Sequence, residues 1–292
     1  MDEQKTGTLY IVATPIGNSR DMSPRGVQIL TDVDIIAAED TRRSMVLLNK
    51  LGIRGNSLSA NHKFNEYGKA KWFIEQLASG KDIAVITDAG TPCISDPGNE
   101  LIKAAVEEEI RVVGVPGCCA AVNALAISGF DLSSFLFYGF FPRENADRRK
   151  LLEKMRGADT RTFAFYESPK RIMELVDFLI ESEAKLRLCL CNDMTKLHEM
   201  SFRGTPAQVK EQLLAKGNYD KGEYAIVAEV EPEYQFTKVE HTVSAEAMLV
   251  DAMISGGVSG RDAIAAVLAD PNNSYSKNEL KAAALNLKRM FE

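Results

Sequence analysis

The chain has 292 residues, 45% of them hydrophobic and 26% charged, a balance that supports a buried core and excludes a disordered or low-complexity chain. Lys and Arg number 35 against 41 Asp and Glu, a net charge of −6, so no global positive field announces a nucleic-acid partner. Any such partner has to be met by a local patch, and a length of 292 predicts about two domains at roughly 150 residues each.

The first residues, Met1 to Lys5, are polar and lack the basic and apolar regions of a secretory signal, which predicts a cytoplasmic product. No apolar run approaches the roughly 18 residues needed to cross a bilayer, so no membrane partner is expected. Five cysteines, an odd number, predict reduced thiols. Cys118 and Cys119 are adjacent and Cys189 and Cys191 are one residue apart, which is not zinc-site spacing, so no metal is expected.

In chain order, segments 8–14, 34–38, 82–87 and 111–115 are nearly continuous in apolar character and predict strands covered on both faces. Amphipathic stretches at 23–31, 41–51, 66–79 and 97–109 predict helices between them. The alternation implies a mostly parallel sheet with helices on both faces and a ligand crevice beyond the carboxyl ends of the strands. A small-residue helix ending at Gly129 precedes a second alternation, with strands at 135–140, 161–166, 186–191 and 223–230 and helices at 147–155, 169–180 and 206–215. An acidic connector leads into a helical tail from Ser244. The predicted architecture is α/β, with two α/β domains at 1–130 and 131–236 and a helical appendage at 237–292.

The turns after the strands carry the chemistry. The turn at 14–18, Thr-Pro-Ile-Gly-Asn, stands where a dinucleotide-binding protein would show G-x-G-x-x-G, and neither that fingerprint nor a phosphate-binding P-loop is present. Segment 87–98 packs two Gly, two Pro and two Asp behind a buried strand. Its glycines expose backbone donors and acceptors, and its Asp residues can accept from an amine or a ribose hydroxyl. Asp96 can equally cap the following helix, with Pro97 at the first position. Polar strand ends also occur at 39–43, 166–171 and 195–199, where Asp40 again reads as either a cap or a functional group. Over 142–171 nine basic residues face five acidic ones, a local excess of positive charge that suits either a phosphate backbone or a solvated helix face.

The runs Leu9-Tyr10-Ile11-Val12-Ala13-Thr14-Pro15-Ile16-Gly17-Asn18, Ala37-Ala38-Glu39-Asp40-Thr41-Arg42, Asp88-Ala89-Gly90-Thr91-Pro92, Ser95-Asp96-Pro97-Gly98, Phe165-Tyr166-Glu167-Ser168 and Lys221-Gly222-Glu223 together resemble the tetrapyrrole-methylase superfamily. The likeness is strongest to its bacterial small-subunit ribosomal RNA 2'-O-ribose methyltransferase branch. The resemblance implies a homodimeric two-domain enzyme that holds S-adenosylmethionine between its halves. It also implies an acceptor in 16S rRNA, within the 30S subunit: the ribose of a cytidine at nucleotide 1402, in the decoding region.

For the cofactor it implies Pro15, Asp88, Ala89, Gly90, Thr91, Ile94, Ser95, Asp96, Cys119, Ala120, Ala121, Tyr166, Met194, Thr195, Ala225 and Ile226. Candidate bases are Asp40, Glu167, Lys196 and Glu199, of which Lys196 would qualify only if neutralised by its surroundings. Arg42, Arg43, Arg143, Arg148, Arg149, Lys170 and Arg171 are the candidate RNA contacts. The sequence departs from its relatives at Cys118-Cys119 and at Asn192-Asp193, where Asn192 cannot supply the positive charge of an arginine. Two rival readings remain: a methyltransferase for a small tetrapyrrole, and a cofactor-binding assembly factor that docks on ribosomal particles without turnover.

Overall fold

The computed structural model describes residues 6–61, 66–235, 243–270, 273 and 275–291. The chain divides into two compact units, Met1–Gln235 and Phe236–Glu292.

In the first unit, β1 (Leu9–Val12), β2 (Ile35–Ala38), β3 (Ser57–Ala60), β4 (Ile83–Ile86) and β5 (Val112–Val115) alternate with α1 (Pro24–Asp32), α2 (Thr41–Lys50), α3 (Glu66–Ala78) and α4 (Asn99–Glu107). The strands form one sheet in the order β3-β2-β4-β1-β5, and every pairing is parallel. Successive residues of β2 feed opposite faces: Ile35 and Ala37 pack with Phe73 and Leu77 of α3 and Leu101 of α4, while Ile36 and Ala38 pack with Leu30 of α1 and Leu48 of α2. That two-sided burial is why the strands read as unbroken apolar runs. The outgoing connections of β1 and β4 run in opposite directions across the sheet, which makes the β1–β4 boundary its switch point. Thr14 and Gly90 exchange backbone hydrogen bonds of 2.9 and 3.0 Å there.

Behind α5 (Ala120–Ser128), the same unit holds β6 (Phe135–Phe140), α6 (Asn145–Arg156), β7 (Thr162–Glu167), α7 (Ile172–Glu181), β8 (Leu186–Asn192), β9 (Met200–Gly204), α8 (Pro206–Lys216) and β10 (Tyr224–Val230). These strands are ordered β6-β7-β10-β8-β9. This second sheet is mostly antiparallel. Only β6–β7 is parallel, because the short connection 193–199 folds β9 back along β8 and β10 enters antiparallel to both its neighbours. One face packs on α6, α7 and α8 around Phe163, Phe165, Leu190 and Ile226, and the other packs Ala164, Cys189 and Val227 on Ala124 and Leu125 of α5.

Among its described residues the second unit is a cluster of three helices, α9 (Ala245–Gly256), α10 (Gly260–Ala269) and α11 (Lys277–Phe291), around Leu249, Ala263, Val267 and Leu280. Ser244 caps α9, its side chain accepting from the Ala247 N–H at 3.1 Å.

Candidate functional site

Because all five strands of the first sheet point one way, their carboxyl ends meet along one edge, and that edge faces the second lobe. Between them lies a cavity of about 440 Å³, within the range of small-molecule sites. Of the residues expected at the cofactor, Asp88, Ala89, Gly90, Thr91, Ile94, Ser95, Asp96, Cys119, Ala120, Tyr166, Met194 and Ala225 line it.

Four others do not line it, each for a local reason. Alternation along β10 turns Ala225 to the cavity and Ile226 into the opposite core. Ala121 is buried beneath the floor, where its N–H donates to the Tyr166 hydroxyl at 3.2 Å. Ile16 takes the place at the wall that was expected of Pro15. Thr195 instead ties the lobes together, its Oγ1 accepting from the Asn18 N–H at 3.1 Å. That contact requires Gly17: a Cβ there would fall 2.8 Å from Thr195 Oγ1 and 3.0 Å from the Met194 carbonyl oxygen.

The cavity is acidic. Among the described residues Glu39, Asp88, Asp96, Glu167 and Glu223 line it against a single cation, Arg43. Glu39, which sequence reading passed over in favour of its neighbour Asp40, accepts from Thr87 Oγ1 at 2.6 Å and from the Asp88 N–H at 3.3 Å. Arg43 donates to Asp88 Oδ2 at 2.8 Å, so this expected RNA contact is also part of the cavity wall. Burial, with Glu39 nearby, raises the Asp88 carboxyl above its ordinary range. Burial likewise pushes Asp96 up to about 6, reinforced by Glu39 and Asp88 and opposed by a hydrogen bond from Thr87. Asp96 is not a helix cap: α4 starts at Asn99, with Gly98 in the cap position.

Asp96 makes a testable prediction about pH. Its folded value lies above the ordinary 3.8, so the folded state holds the extra proton and stability declines as pH rises from about 4 to about 6, then levels off. Asp96→Asn removes that decline. The variant is expected to melt above the parent at pH 7, to lose the advantage near pH 4, and to bind a cationic ligand more weakly at neutral pH. Calorimetric melting across this range, together with titration by S-adenosylmethionine, checks all three.

The four candidate bases separate sharply. Asp40 caps α2 and is held down to about 2 by side-chain and backbone hydrogen bonds from Arg42, and it does not line the cavity. Lys196 donates to Asp193 Oδ1 and Glu223 Oε2, both at 2.7 Å. Burial alone would lower it, but those two bonds keep it above its ordinary value, so it stays charged and cannot accept a proton. Glu199 accepts from the Thr195 N–H at 2.7 Å and closes its own turn. Glu167 remains. Its side chain is fully buried and Oε1 takes three donors: the Ser168 N–H at 2.7 Å, Arg171 Nε at 2.9 Å and Arg171 Nη2. Oε2, equally buried, has no hydrogen-bond partner among the described residues, and the same holds for Asp88 Oδ1; both residues line the cavity.

The expected RNA contacts are corrected in part. Arg148 is 1% exposed and donates to the Pro142 carbonyl at 2.9 Å and to Asn145 Oδ1 at 3.2 Å, so it belongs to the core of the second lobe. Arg171 is committed to Glu167, and Lys170 pairs with Asp220 at 3.0 Å. Arg42, Arg143 and Arg149 are on the surface. The Asn192 departure has its own accommodation: Lys216 Nζ donates to Asn192 Oδ1, and Asn192 Nδ2 holds the Glu223 carbonyl at 3.3 Å. Among the described residues, no group of three His, Cys, Asp or Glu side chains is placed to hold a metal, and no helix is long and apolar enough to cross a membrane.

Residues 8–210 match the family model described as Tetrapyrrole (Corrin/Porphyrin) Methylases. The chain is 43% identical over 229 residues to "Ribosomal RNA small subunit methyltransferase I" of Haemophilus influenzae, covering 78% of this chain and 80% of that protein. It is 38% identical over 273 residues to the protein of the same name from Halalkalibacterium halodurans, covering 90% of each. In fold it is similar to the crystal structure of uroporphyrin-III-C-methyltransferase from Thermus thermophilus, with a TM-score of 0.52 at 17% identity, over 76% of this chain and 94% of that one. The chain belongs to the tetrapyrrole (corrin/porphyrin) methylase family, and the two relatives just named are ribosomal RNA small subunit methyltransferases I.

Proposed function

We propose that the chain is an S-adenosylmethionine-dependent methyltransferase that modifies the 2'-hydroxyl of a cytidine ribose in 16S rRNA, at nucleotide 1402 of the 30S subunit. The observation that carries this reading is an acid-lined interlobe cavity in which two buried carboxylate oxygens, Glu167 Oε2 and Asp88 Oδ1, have no partner among the described residues. A buried polar atom without a partner is costly, and a site that keeps one is built for a ligand.

The lining suits the cofactor. Bound S-adenosylmethionine supplies a methyl group already activated on a positively charged sulfur. Five carboxylates against one arginine favour a ligand that carries a sulfonium and an ammonium. The backbone groups of segment 88–96, shaped by Gly90 at φ +87°, supply donors and acceptors for its polar ends.

The chain contributes alignment and a proton acceptor. Alignment of the ribose oxygen behind the methyl carbon is worth up to roughly 7 to 11 kcal/mol. Glu167 Oε2 takes the 2'-hydroxyl proton as the oxygen–carbon bond forms and the carbon–sulfur bond breaks, leaving a thioether and a methylated ribose. Arg171 keeps that carboxylate oriented. The lobe of residues 6–130 presents the acceptor and part of the cofactor wall, and the lobe from 131 supplies the rest. Arg42, Arg143 and Arg149 meet the RNA backbone. The enzyme works in the cytoplasm as a homodimer. Support for the dimer comes from β6, an edge strand whose Phe135, Leu136 and Tyr138 are exposed, and a monomer mass in light scattering would remove it.

Incubation with labelled S-adenosylmethionine and 30S particles, followed by nuclease mapping, tests the reading. The expected result is one labelled cytidine, methylated on its ribose. Label on an added pyrrole substrate, or binding of cofactor and particle with no transfer, sinks it.

A further inference from the structure

Phe140 closes β6 and lines the cavity, yet 58% of it is exposed to solvent. Strict alternation would put it on the face of Tyr138, whose ring stacks on those of Phe163 and Phe165 at 6.1 and 5.8 Å. The pairing with β7 is otherwise. Phe137 stands opposite Ala164 and Phe140 opposite Tyr166, so β6 contains one extra residue across this interval. Gly139, at φ +71°, is the residue that lets the chain take the step. The resulting bulge moves Phe140 to the face of Tyr166, which its ring meets edge-on at 5.8 Å and 65°. It also lies against the first lobe, since a Cβ on Gly139 would sit 3.8 Å from Ser95 Oγ. Ile94, which also lines the cavity and is 59% exposed, supplies a second large apolar side chain.

We propose that Phe140 is a stacking platform for the nucleobase of the nucleotide being methylated, held out of its RNA stack. The proposal rests on the methyltransfer reading above. A ribose hydroxyl can reach an interlobe cavity only if its nucleotide leaves the surrounding RNA structure, and the extruded base then loses its stacking neighbours. An aromatic face at the rim restores one of them while the sugar enters. Because the reacting atom is on the sugar, the base needs a surface at the mouth more than a hydrogen-bonding slot inside. Phe140 is therefore a positioning residue for substrate, and stacking of this kind tolerates any base.

Phe140→Ala, Phe140→Leu and Phe140→Trp, assayed with labelled S-adenosylmethionine and 30S subunits, test it. The alanine and leucine variants are expected to raise KM for the subunit by roughly 5- to 150-fold, the span of base–aromatic stacking, with little change in kcat. The tryptophan variant is expected to stay within a few-fold of the parent. Cofactor affinity by calorimetry and particle mass by light scattering are expected to hold in all three. An unchanged KM overturns the proposal. So does a parallel loss of cofactor affinity, which would place the cofactor's adenine on the ring, or a change of mass, which would make Phe140 a contact between copies. Binding of fluorescent 30S subunits to enzyme loaded with S-adenosylhomocysteine needs no turnover. An inactive parent refutes the methyltransfer reading alone, whereas equal binding by parent and alanine variant refutes the platform.

Discussion

Glu167→Gln is expected to lower the single-turnover methylation rate by about 100-fold, the lower end of general-base contributions, while leaving cofactor affinity within a few-fold. The lower end is appropriate because Arg171 and the Ser168 N–H already share the carboxylate charge through Oε1. Glutamine preserves that side of the interaction, since its carbonyl oxygen can accept from the same donors. What it removes is the charge and basicity at the position of Oε2, a buried oxygen with no partner among the described residues. The variant should therefore fold normally and fail at chemistry. Lys196→Ala is the matching control. Its ammonium is held charged between Asp193 and Glu223, so its loss should disturb loop 193–199 and substrate affinity more than the chemical step. Rapid-quench kinetics on both variants distinguish the roles. A Glu167→Gln rate within a few-fold of the parent would leave alignment as the whole of the catalytic effect.

The first lobe was readable because each of its central strands is covered on both faces, and such strands write themselves as unbroken apolar runs. β2 and β4 are buried at every residue, and their neighbours followed from alternation with helices. β3, Ser-Leu-Ser-Ala, gave no such signal, because an edge strand with a half-exposed, polar composition has neither a run nor a period to read. β9 was missed for the same reason, and with it the reversal of direction in the second sheet, which is set by the tight connection at 193–199 rather than by any strand's composition.

The site followed the same division. Segment 88–96 announced itself by its Gly, Pro and Asp content, and most of it lines the cavity. Side chains whose orientation depends on neighbouring elements were harder. Glu39 and Asp40 are adjacent carboxylates at one strand end, and only the fold reveals that Asp40 turns to cap α2 while Glu39 turns to Thr87. Phe140 was hidden by its bulge: alternation counted from Tyr138 assigns it to the wrong face. Arg148 was misread through weight given to charge, although the sequence held the correction. It stands three, four and seven residues before Leu151, Leu152 and Met155, which makes it part of the buried stripe of α6.

That position makes Arg148→Ala the substitution with the largest expected effect on stability. The guanidinium reaches the Pro142 carbonyl and Asn145 Oδ1, pairs with Glu174 Oε1 at 2.9 Å and lies 5.5 Å from the centre of the Phe178 ring. Alanine removes these donors and opens a cavity where the long stem packed. Glu174 is more than half exposed, so its attraction is screened and the loss comes mainly from packing. A cost of about 3 kcal/mol follows, equivalent to a drop of roughly 6–12 °C in melting temperature for a unit of this size. Arg148→Met, which keeps the stem but no donors, should recover part of that loss. Neither change should alter the salt dependence of 30S binding, because a side chain this buried releases no counterion from RNA. A shallower salt slope in Arg148→Met than in the parent would return Arg148 to the RNA surface, and a melting temperature unmoved by alanine would show that the helix needs no anchor at this position.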